Sequence, residues 1–326
     1  MYIGVDVGGT NLAAALIDDE YRIIRKAKGR VDGSMTGENL SAALAELALE
    51  AAGEDKNAVK YAGFGIPGEI DRKNGRIIYT PNAPFGGTNL REGFQKRWDI
   101  PVYLENDANC AALGEFFAGA ARGYKDVVVL TLGTGVGGGI ISGGKLLMGS
   151  RGTAAEVGHM VTRSGGRQCA CGRKGCWEAY ASARGLKQTA SEEMRRSKNS
   201  LMWQLCHGDI EKVSGKTPFN AMRRGDMAGK RVVEEYIRHL SEGIINLVNI
   251  FQPQLVCIGG GVSNEDEHLL IDPVRELVRG ESYGAAKGSC EIKKCLLGND
   301  AGIVGAAMLG RQIREIADGQ ILCNNN

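Results

Sequence analysis

The side chains best suited to bind a metal are concentrated in the middle of the chain, where one histidine and three cysteines follow one another closely: His159, Cys169, Cys171 and Cys176. One imidazole nitrogen and three thiolates form a tetrahedral ligand set that suits Zn²⁺ better than other divalent metals. Because four protein ligands leave no open position for catalysis, the pattern predicts a structural zinc site. The alternative is three free thiols near a surface histidine, but clustered cysteines in an intracellular chain favour a metal.

Two glutamates flank this zinc cluster, Glu156 before His159 and Glu178 after Cys176. A neutral imidazole can bind zinc through one ring nitrogen and present the other as a hydrogen-bond partner. We therefore expect the zinc loop to direct Glu156, His159 and Glu178 toward a ligand. The alternative is that the two glutamates only steady the loop around the metal.

The composition limits the possible partners and the number of domains. The chain has 326 residues, a length typical of about two domains, and a net charge of +2 without a basic block, which does not favour nucleic acid as a partner. We find no signal peptide and no apolar run long enough to span a bilayer, so we expect no membrane partner. Six of the nine cysteines lie scattered outside the zinc cluster, which indicates a reducing cytoplasm.

Apolar periodicity and Gly/Pro breaks predict the elements that must position these groups. Strands are predicted over Tyr2–Asp6, Leu12–Asp18, Arg22–Lys28, Tyr61–Ile66, Pro101–Glu105, Asp126–Leu132 and Leu255–Ile258. Helices are predicted over Thr36–Ala52, Asn106–Ala120, Arg184–Arg196 and Lys230–Phe251, and a last helix opens at Asp300-Ala-Gly302.

Two glycine-rich turns each join a pair of apolar strands, one at Gly8-Gly9 and one over Gly133–Gly139. Neither turn has the Gly-Lys-Ser/Thr of a nucleotide P-loop, and neither is followed by the helix that a dinucleotide fingerprint requires. Taken singly, each turn could be a tight hairpin. The pair, together with Asp6 and Thr10, favours a phosphate clamp.

Asp107 directly follows the predicted strand Pro101–Glu105, where ligands bind in open α/β sheets. A carboxylate at this position could accept the proton of an attacking hydroxyl in phosphoryl transfer. The alternative is that Asp107 caps a helix beginning at Ala108, because Asp is a good N-cap. The residue pattern alone leaves both roles open.

Several motifs occur together in an order that resembles the ROK family of sugar kinases and repressors, most closely its bacterial glucokinase branch. They are Gly4-Val-Asp-Val-Gly-Gly-Thr-Asn11, Gly65-Ile-Pro-Gly68, Glu105-Asn-Asp-Ala-Asn109, Leu132-Gly-Thr-Gly-Val-Gly-Gly-Gly139, Glu156-Val-Gly-His159, Cys169-Ala-Cys-Gly-Arg-Lys-Gly-Cys-Trp-Glu178 and Gly259-Gly-Gly-Val-Ser263. The resemblance runs from Met1 to the helix after Gly302. It implies an α/β, two-lobed, actin-like and hexokinase-like ATPase fold with ribonuclease-H-like lobes. The small lobe would comprise residues 1–117 and 302–326, and the large lobe with the zinc loop residues 118–301.

The resemblance also implies a role for each matching residue. Asp107 corresponds to the catalytic base of the family. The sugar-binding set would be Gly65, Asn82, Asn106, Asp107, Glu156, His159 and Glu178. The set that binds ATP would be Asp6, Gly8, Gly9, Thr10, Asn11, Thr134, Gly135, Gly260 and Gly261, with Asp6 holding Mg²⁺ through water. His159, Cys169, Cys171 and Cys176 would hold the structural Zn²⁺.

The implied activity is ATP-dependent phosphorylation of a hexose, with glucose converted to glucose 6-phosphate. N-acetylmannosamine, N-acetylglucosamine or fructose are the alternative substrates within the family. The segment Pro81–Leu90 departs from the Asn-x-x-x-Trp pattern of glucokinases, because Phe85 and Gly86 stand near the Trp position. This departure leaves the sugar open.

Two alternatives belong to other functional classes. A sugar-sensing repressor is disfavoured because the first phosphate loop begins at Gly4, which leaves no room for a preceding helix-turn-helix. A non-catalytic sugar-binding module stapled by zinc is disfavoured by the presence of Asp107 and both phosphate loops. We also expect a homodimer, for which the helix Lys230–Phe251 could supply a face, although an apolar stripe is more often part of a core.

Overall fold

The computed structural model of the protein describes residues 1–31, 35–81 and 83–311, without the side chain of Glu38. The chain divides into two compact units. The first comprises Met1–Lys125, Gly139–Ala154 and the chain from Leu296 onward, and the second comprises Asp126–Gly138 and Ala155–Cys295. The predicted lobe boundaries after residue 117 and before residue 302 stay a prediction.

The first unit is built on a five-stranded sheet of order β3-β2-β1-β4-β7. Its strands are β1 (Tyr2–Val7), β2 (Asn11–Ile17), β3 (Ile23–Arg30), β4 (Ala62–Ile66) and β7 (Val102–Asn106), and β5 (Glu69–Asp71) pairs with β6 (Arg76–Tyr79) in a separate hairpin. β1, β4 and β7 are parallel, and their register places Asp6 opposite Gly65 and Gly65 opposite Glu105. Two predicted site residues, Asp6 and Gly65, therefore lie at the same edge of one sheet as Glu105, which directly precedes Asn106.

Helices cover both faces of this sheet. Apolar side chains of the sheet such as Val5 and Phe64 share a core with Leu44 of α1 (Gly37–Ala52) and Phe94 of α2 (Leu90–Gln95). On the other face, Tyr61 packs with Ile303 and its neighbours in the helix over 301–311. The hydroxyl of Tyr61 donates to the carbonyl of Ala307 at 2.6 Å and ties this helix to the sheet.

Glycine is required where the helix over 301–311 lies against the strands. A Cβ at Gly4 would lie 2.0 Å from the carbonyl oxygen of Ile303, and one at Gly63 would lie 1.8 Å from that of Ala306. Any larger residue at these two positions would push the helix off the sheet.

The second sheet has the order β10-β9-β8-β11-β12, and the division between the two units falls within β9. Its strands are β8 (Val127–Leu132), β9 (Val136–Ser142), β10 (Lys145–Leu146), β11 (Leu255–Gly259) and β12 (Glu291–Lys294), with β8, β11 and β12 parallel. The helices of the second unit are α4 (Glu178–Ala181), α5 (Ala183–Arg196), α6 (Leu201–Leu205), α7 (Lys216–Arg223), α8 (Met227–Phe251) and α9 (Ile271–Glu281).

The long helix α8 is the scaffold of the second unit. It packs against α5, α7 and α9 and buries Val233, Leu240 and Leu247. Most of the apolar stripe predicted over Lys230–Phe251 therefore belongs to a core. The helix starts earlier than predicted because the side chain of Asp226 caps it by accepting from the N–H groups of Ala228 and Gly229.

Every predicted strand and helix is present, with ends that differ by a few residues. Within the described residues, no helix combines the length and apolar character needed to cross a membrane.

Candidate active site and zinc centre

Asp107 is the first residue of α3 (Asp107–Ala118), directly after β7. The residue that caps this helix is Asn106, whose Oδ1 accepts from the N–H of Ala108 at 2.9 Å and from that of Asn109 at 3.2 Å. The interpretation of Asp107 as the N-cap is therefore wrong. Asn106 occupies the cap position because its backbone is extended, with φ −62° and ψ 145°, whereas Asp107 already lies within the helix.

The carboxylate of Asp107 lies close to the N-terminus of α3. Its Oδ1 accepts from the N–H of Ala108 at 2.9 Å. Burial raises the pKa of this carboxyl above its ordinary value, although hydrogen bonds from Ala108, from its own backbone and from Asn106 oppose the rise. A carboxylate with a raised pKa is a better proton acceptor near neutral pH, as a general base requires.

Asp6 is a second carboxylate at the same edge of the first sheet. Burial, followed by repulsion from the negative charge of Asp107, raises its pKa to about 6. A Cβ at Gly302, near the start of the helix over 301–311, would lie 3.3 Å from Oδ1 of Asp6. Two carboxylates that repel each other are stabilised by a cation, and oxygen ligands of this kind suit Mg²⁺.

Gly65 and Gly68 lie close to Asp107 and to its neighbour Asn106. A Cβ at Gly65 would lie 3.2 Å from Sγ of Cys110 and 3.7 Å from Cα of Asp107, so this position has little room for a side chain. Asn106 Nδ2 donates to the carbonyl of Gly68 at 3.4 Å. Asn82, the remaining residue predicted to bind sugar in this part of the chain, lies outside the described residues.

Phe85 directly precedes Gly86, on which the last position of the Asn-x-x-x-Trp pattern falls when counted from Asn82. Its ring is 1% exposed and belongs to the core that α1 and α2 form with the first sheet. Phe85, the aromatic residue beside this position, is therefore a core residue.

The first glycine-rich turn is a hairpin between β1 and β2. The N–H of Gly8 donates to the carbonyl of Asn11 at 2.9 Å, which leaves Gly9 and Thr10 exposed at the tip. Asn11 Nδ2 donates to Oγ1 of Thr10 at 3.2 Å. The turn is therefore a tight hairpin, as the alternative interpretation expected. The tip of this hairpin presents hydroxyl and amide groups that could bind phosphate oxygens.

The second glycine-rich turn, at the start of β9, is held by Glu178. Oε2 of Glu178 accepts from the N–H of Val136 at 3.0 Å, and a Cβ at Gly135 would lie 2.3 Å from the same oxygen. The carbonyl of Gly133 accepts from the N–H of Ala183 at 2.9 Å. These bonds fix both ends of the turn and leave Thr134 exposed.

Gly260 and Gly261 follow β11 at the same sheet edge as the second turn, since β11 and β8 are parallel. Gly260 has φ 86°, and a Cβ there would lie 2.5 Å from the carbonyl oxygen of Leu132. The strand end therefore requires glycine. In the second unit, the residues predicted to bind nucleotide meet at one edge, as ligand sites do in open α/β sheets.

The four predicted zinc ligands converge in the second unit. Their ligand atoms lie within 4.8 Å of one another, with 3.7 Å from Cys169 Sγ to His159 Nδ1 and 3.6 Å between the Sγ atoms of Cys171 and Cys176. Zn–S bonds of about 2.3 Å in a tetrahedron place ligand atoms about 3.8 Å apart, so these distances fit zinc. The backbone N–H of Arg173 lowers the pKa of the Cys171 thiol, which favours the thiolate that binds metal.

The zinc loop is attached to α8 through Trp177. The Trp177 ring is fully buried, and its Nε1 donates to the carbonyl of His239 at 2.8 Å. A Cβ at Gly243 would lie 2.0 Å from the ring, so glycine lets the indole lie directly on the helix. Cys176 and Glu178, the neighbours of Trp177 in sequence, are thereby fixed on the scaffold of the unit.

Glu156 and His159 lie in one tight turn at the other side of the zinc cluster. The N–H of Val157 donates to the carbonyl of Ala155 at 2.7 Å across Glu156, and the N–H of His159 donates to the carbonyl of Glu156 at 3.1 Å. Ala155 has φ 69°, a conformation that costs a non-glycine residue about 1–2 kcal/mol. Backbone strain of this kind clusters at functional sites, and here it precedes an exposed glutamate.

Sequence reasoning missed Arg72 and the role of Glu105. The Glu105 side chain is only 3% exposed and forms an ion pair with Arg72. The available signal was a glutamate at the end of a buried strand, which requires a cation or hydrogen-bond donors.

Comparison with known proteins decides the family. A family model described as the ROK family matches residues 2–313. The chain belongs to the ROK family. Its relatives include the glucokinase of Thermotoga maritima, which is 38% identical over 308 residues that cover 94% of this chain and 96% of the relative.

Solved ROK structures match over nearly the whole chain as well. A ROK family glucokinase from Streptomyces griseus, in complex with glucose and AMPPNP, is 37% identical with a TM-score of 0.81, covering 95% of this chain and 99% of that one. The ROK hexokinase of Thermus thermophilus is 33% identical with a TM-score of 0.80, covering 97% and 99%. The predicted fold class, the actin-like and hexokinase-like α/β ATPase fold, is confirmed.

Proposed function

We propose that this ROK protein is an ATP-dependent hexose kinase that converts glucose to glucose 6-phosphate. The observation that carries the proposal is the carboxylate of Asp107, which lies at the end of β7 and is not needed as the cap of α3. Similarity over nearly the full length to a glucokinase that binds glucose and AMPPNP supports the same reaction. The proposal disfavours a sugar-sensing regulator, which would not use a general base.

Asp107 acts as the general base. As the 6-hydroxyl oxygen of glucose forms its bond to the γ-phosphorus of ATP, the hydroxyl proton passes to the Asp107 carboxylate. The bond between the γ-phosphorus and the bridging oxygen breaks, and ADP leaves with that oxygen. Phosphoryl transfer needs little covalent help from the protein, so positioning and charge stabilisation supply most of the acceleration.

We assign sugar binding to two sets of polar groups. Gly65, Asn82, Asn106 and Asp107 form the set in the first unit, and Glu156, His159 and Glu178 form the set in the second. Oδ1 of Asn106 is occupied by the cap of α3, so its Nδ2 amide is the group that can donate to a sugar oxygen. A polar group that pairs with a sugar hydroxyl discriminates against sugars that lack this hydroxyl, because the group would be left unsatisfied.

We assign nucleotide binding to the glycine-rich turns. Thr10, Asn11 and Thr134 present exposed polar groups, while Gly8, Gly9, Gly135, Gly260 and Gly261 let backbone approach the phosphates and the adenosine. Asp6 would hold Mg²⁺ through water, and the ion would neutralise charge on the transferred phosphoryl group. The Zn²⁺ held by His159, Cys169, Cys171 and Cys176 is structural, since its four ligands leave no open position.

We further propose a cytoplasmic homodimer that binds neither nucleic acid nor membrane. The scattered thiols support a cytoplasmic location, and the net charge of +2 without a basic block argues against nucleic acid as a partner. Sedimentation of the purified protein tests the oligomeric state.

A panel of sugars tests the proposed reaction. Glucose, mannose, fructose, N-acetylglucosamine and N-acetylmannosamine are each supplied with ATP, and both ADP release and the phosphorylated sugar are measured. We expect the highest kcat/KM for glucose. A higher value for an N-acetylated sugar would overturn the choice of glucose, and sugar binding without phosphorylation of any sugar would overturn the kinase assignment.

A further inference from the structure

A buried ion pair lies directly behind the proposed catalytic base. Nε of Arg72 donates to Oε2 of Glu105 at 2.6 Å, and its Nη2 donates to Oε1 of the same carboxylate. The Arg72 side chain is 20% exposed and that of Glu105 is 3% exposed. A bidentate pair of this kind fixes the orientation of the carboxylate as well as its position.

The Glu105 carboxylate accepts further hydrogen bonds from the residues around Asp107. Its Oε1 accepts from the backbone N–H of Asn106 at 2.8 Å and from Nδ2 of Asn109 at 2.9 Å. The carboxylate therefore anchors the residue just before Asp107 and the residue two positions after it. The backbone that carries the base is thus held on both sides by one side chain.

Both the backbone and the guanidinium group of Arg72 are held in place by other parts of the first unit. Arg91 in α2 donates to the carbonyl of Arg72 at 2.9 Å and to that of Lys73 at 2.8 Å. A Cβ at Gly152 would lie 2.0 Å from Nη1 of Arg72, so the segment around Gly152 packs directly on the guanidinium. Arg72 is therefore a rigid support for Glu105.

Stability alone does not explain this arrangement, because a buried ion pair is often no better for folding than apolar residues of similar size. We propose that Arg72 is a positioning residue for phosphoryl transfer, which acts through Glu105 to hold Asn106 and Asp107 in the productive orientation. The inference rests on the proposed kinase function. A misplacement of about 1 Å in a catalytic group can lower the rate by about 100-fold, so a support of this kind has a measurable effect on kcat.

The test compares Arg72→Ala and Arg72→Lys with Arg25→Ala. Arg25 is a matched control because it is an arginine of the same unit that also pairs with a carboxylate, that of Asp55, and donates to the carbonyls of Ala51 and Ala52, yet no bond joins it to Glu105 among the described residues. Glucose KM, kcat and thermal stability are measured for each, with and without guanidinium chloride far below unfolding concentrations.

We expect Arg72→Ala to lower kcat by about 10- to 100-fold, with a smaller rise in glucose KM because Asn106 is still held as the cap of α3. Added guanidinium should restore part of the kcat of Arg72→Ala by filling the vacated position. The kcat of Arg72→Lys should lie between those of the wild type and Arg72→Ala, because lysine cannot bind both oxygens in the same way. Arg25→Ala should lose thermal stability while its kcat stays near that of the wild type, with no response to guanidinium.

The outcomes separate the inference from the function on which it rests. A wild-type protein that phosphorylates no sugar removes the proposed function. An active wild type whose Arg72→Ala variant keeps its kcat overturns the positioning role, as does an equal loss of kcat in the Arg72→Ala and Arg25→Ala variants without rescue. If Arg72→Ala does not fold, Arg72→Lys decides: kcat equal to wild type overturns the role.

Discussion

The carboxylate of Glu178 joins the second glycine-rich turn to the zinc cluster. Oε2 accepts from the N–H of Val136 at 3.0 Å, while Oε1 lies 3.6 Å from Sγ of Cys169. Glu178 was predicted from its motif to bind sugar. The structure shows that one of its oxygens already holds the turn that carries Thr134 and Gly135.

This bond predicts different effects for the two glutamates that flank the zinc cluster. Glu178→Ala should raise the KM for ATP as well as for glucose, because the N–H of Val136 loses its acceptor and the turn is released. A hydrogen bond to a charged group contributes about 1.5–3 kcal/mol, so we expect an increase in the ATP KM of roughly tenfold or more. Glu156→Ala is the matched control and should raise the KM for glucose alone. Steady-state kinetics in both substrates distinguish them, and an unchanged ATP KM in Glu178→Ala would contradict the anchoring role.

Zinc removal should affect metal content, stability and sugar affinity together. Metal analysis of the wild type should find about one Zn²⁺ per chain, and Cys171→Ser should lose zinc because serine is a poor ligand for it. The melting temperature and glucose affinity should fall in the same variant, since the metal holds the turns that carry Glu156 and Glu178. Cys290→Ser changes a thiol outside the cluster and should keep all three properties. Active protein without zinc would exclude this hypothesis.

The pKa of Asp6 predicts how stability depends on pH. Burial and the charge of Asp107 raise it from 3.8 to about 6, so the folded protein holds this proton more tightly than the unfolded chain does. The stabilising contribution is complete below about pH 4 and is lost as the pH rises through about 6. The full change corresponds to at most about 3 kcal/mol.

Asp6→Asn removes the charge that is costly at high pH. Without nucleotide, this variant should melt at a higher temperature than the wild type at pH 8 and show no such gain at pH 4. Asp18 is the control of opposite sign, because hydrogen bonds from Arg22 and Glu20 lower its pKa, so Asp18→Asn should not gain stability at pH 8. Melting curves from pH 4 to 8 measure both effects. Equal stability of Asp6→Asn and the wild type at pH 8 would show that the Asp6 charge does not destabilise the folded protein.

The sequence predicted the elements and the cluster of one histidine and three cysteines, because both depend on local patterns. Apolar periodicity located strands such as β4 and β8, and the close spacing of Cys169, Cys171 and Cys176 determined the ligand set. The pair of Arg72 and Glu105 could not be predicted, since the two residues are 33 positions apart and meet only when the β5–β6 hairpin packs beside β7. No periodicity records such a long-range contact.

The alternative that Asp107 caps α3 was wrong for a different reason. Asn106 and Asp107 are adjacent and are equally good N-caps, so a shift of a single residue in the helix start decides which of them has the role. Backbone angles made that decision, and they are not visible in the sequence. The same limit applies to Phe85, whose burial in a core shows only once α1 and α2 are in place.

Because Asn106 is the cap, substitutions at two adjacent positions can separate catalysis from helix stability. Asp107→Asn keeps the size of the side chain, and we expect it to leave the fold and glucose binding nearly unchanged. Loss of the proton acceptor should lower kcat by about 100-fold or more, in line with the contribution of a general base. Asn106→Ala should instead destabilise the protein by about 1 kcal/mol through loss of the cap.

Asn106→Ala should also raise the KM for glucose if Nδ2 of Asn106 binds the sugar, while the carboxylate of Asp107 remains available as the base. Thermal melts, glucose binding by calorimetry and turnover with ATP, measured on both variants, complete the comparison. Near-normal turnover in Asp107→Asn would remove the catalytic assignment, because the variant lacks the only group to which we assign the proton of the attacking hydroxyl. Low turnover of Asp107→Asn at unchanged stability would show that the Asp107 carboxylate accepts the proton and does not cap the helix.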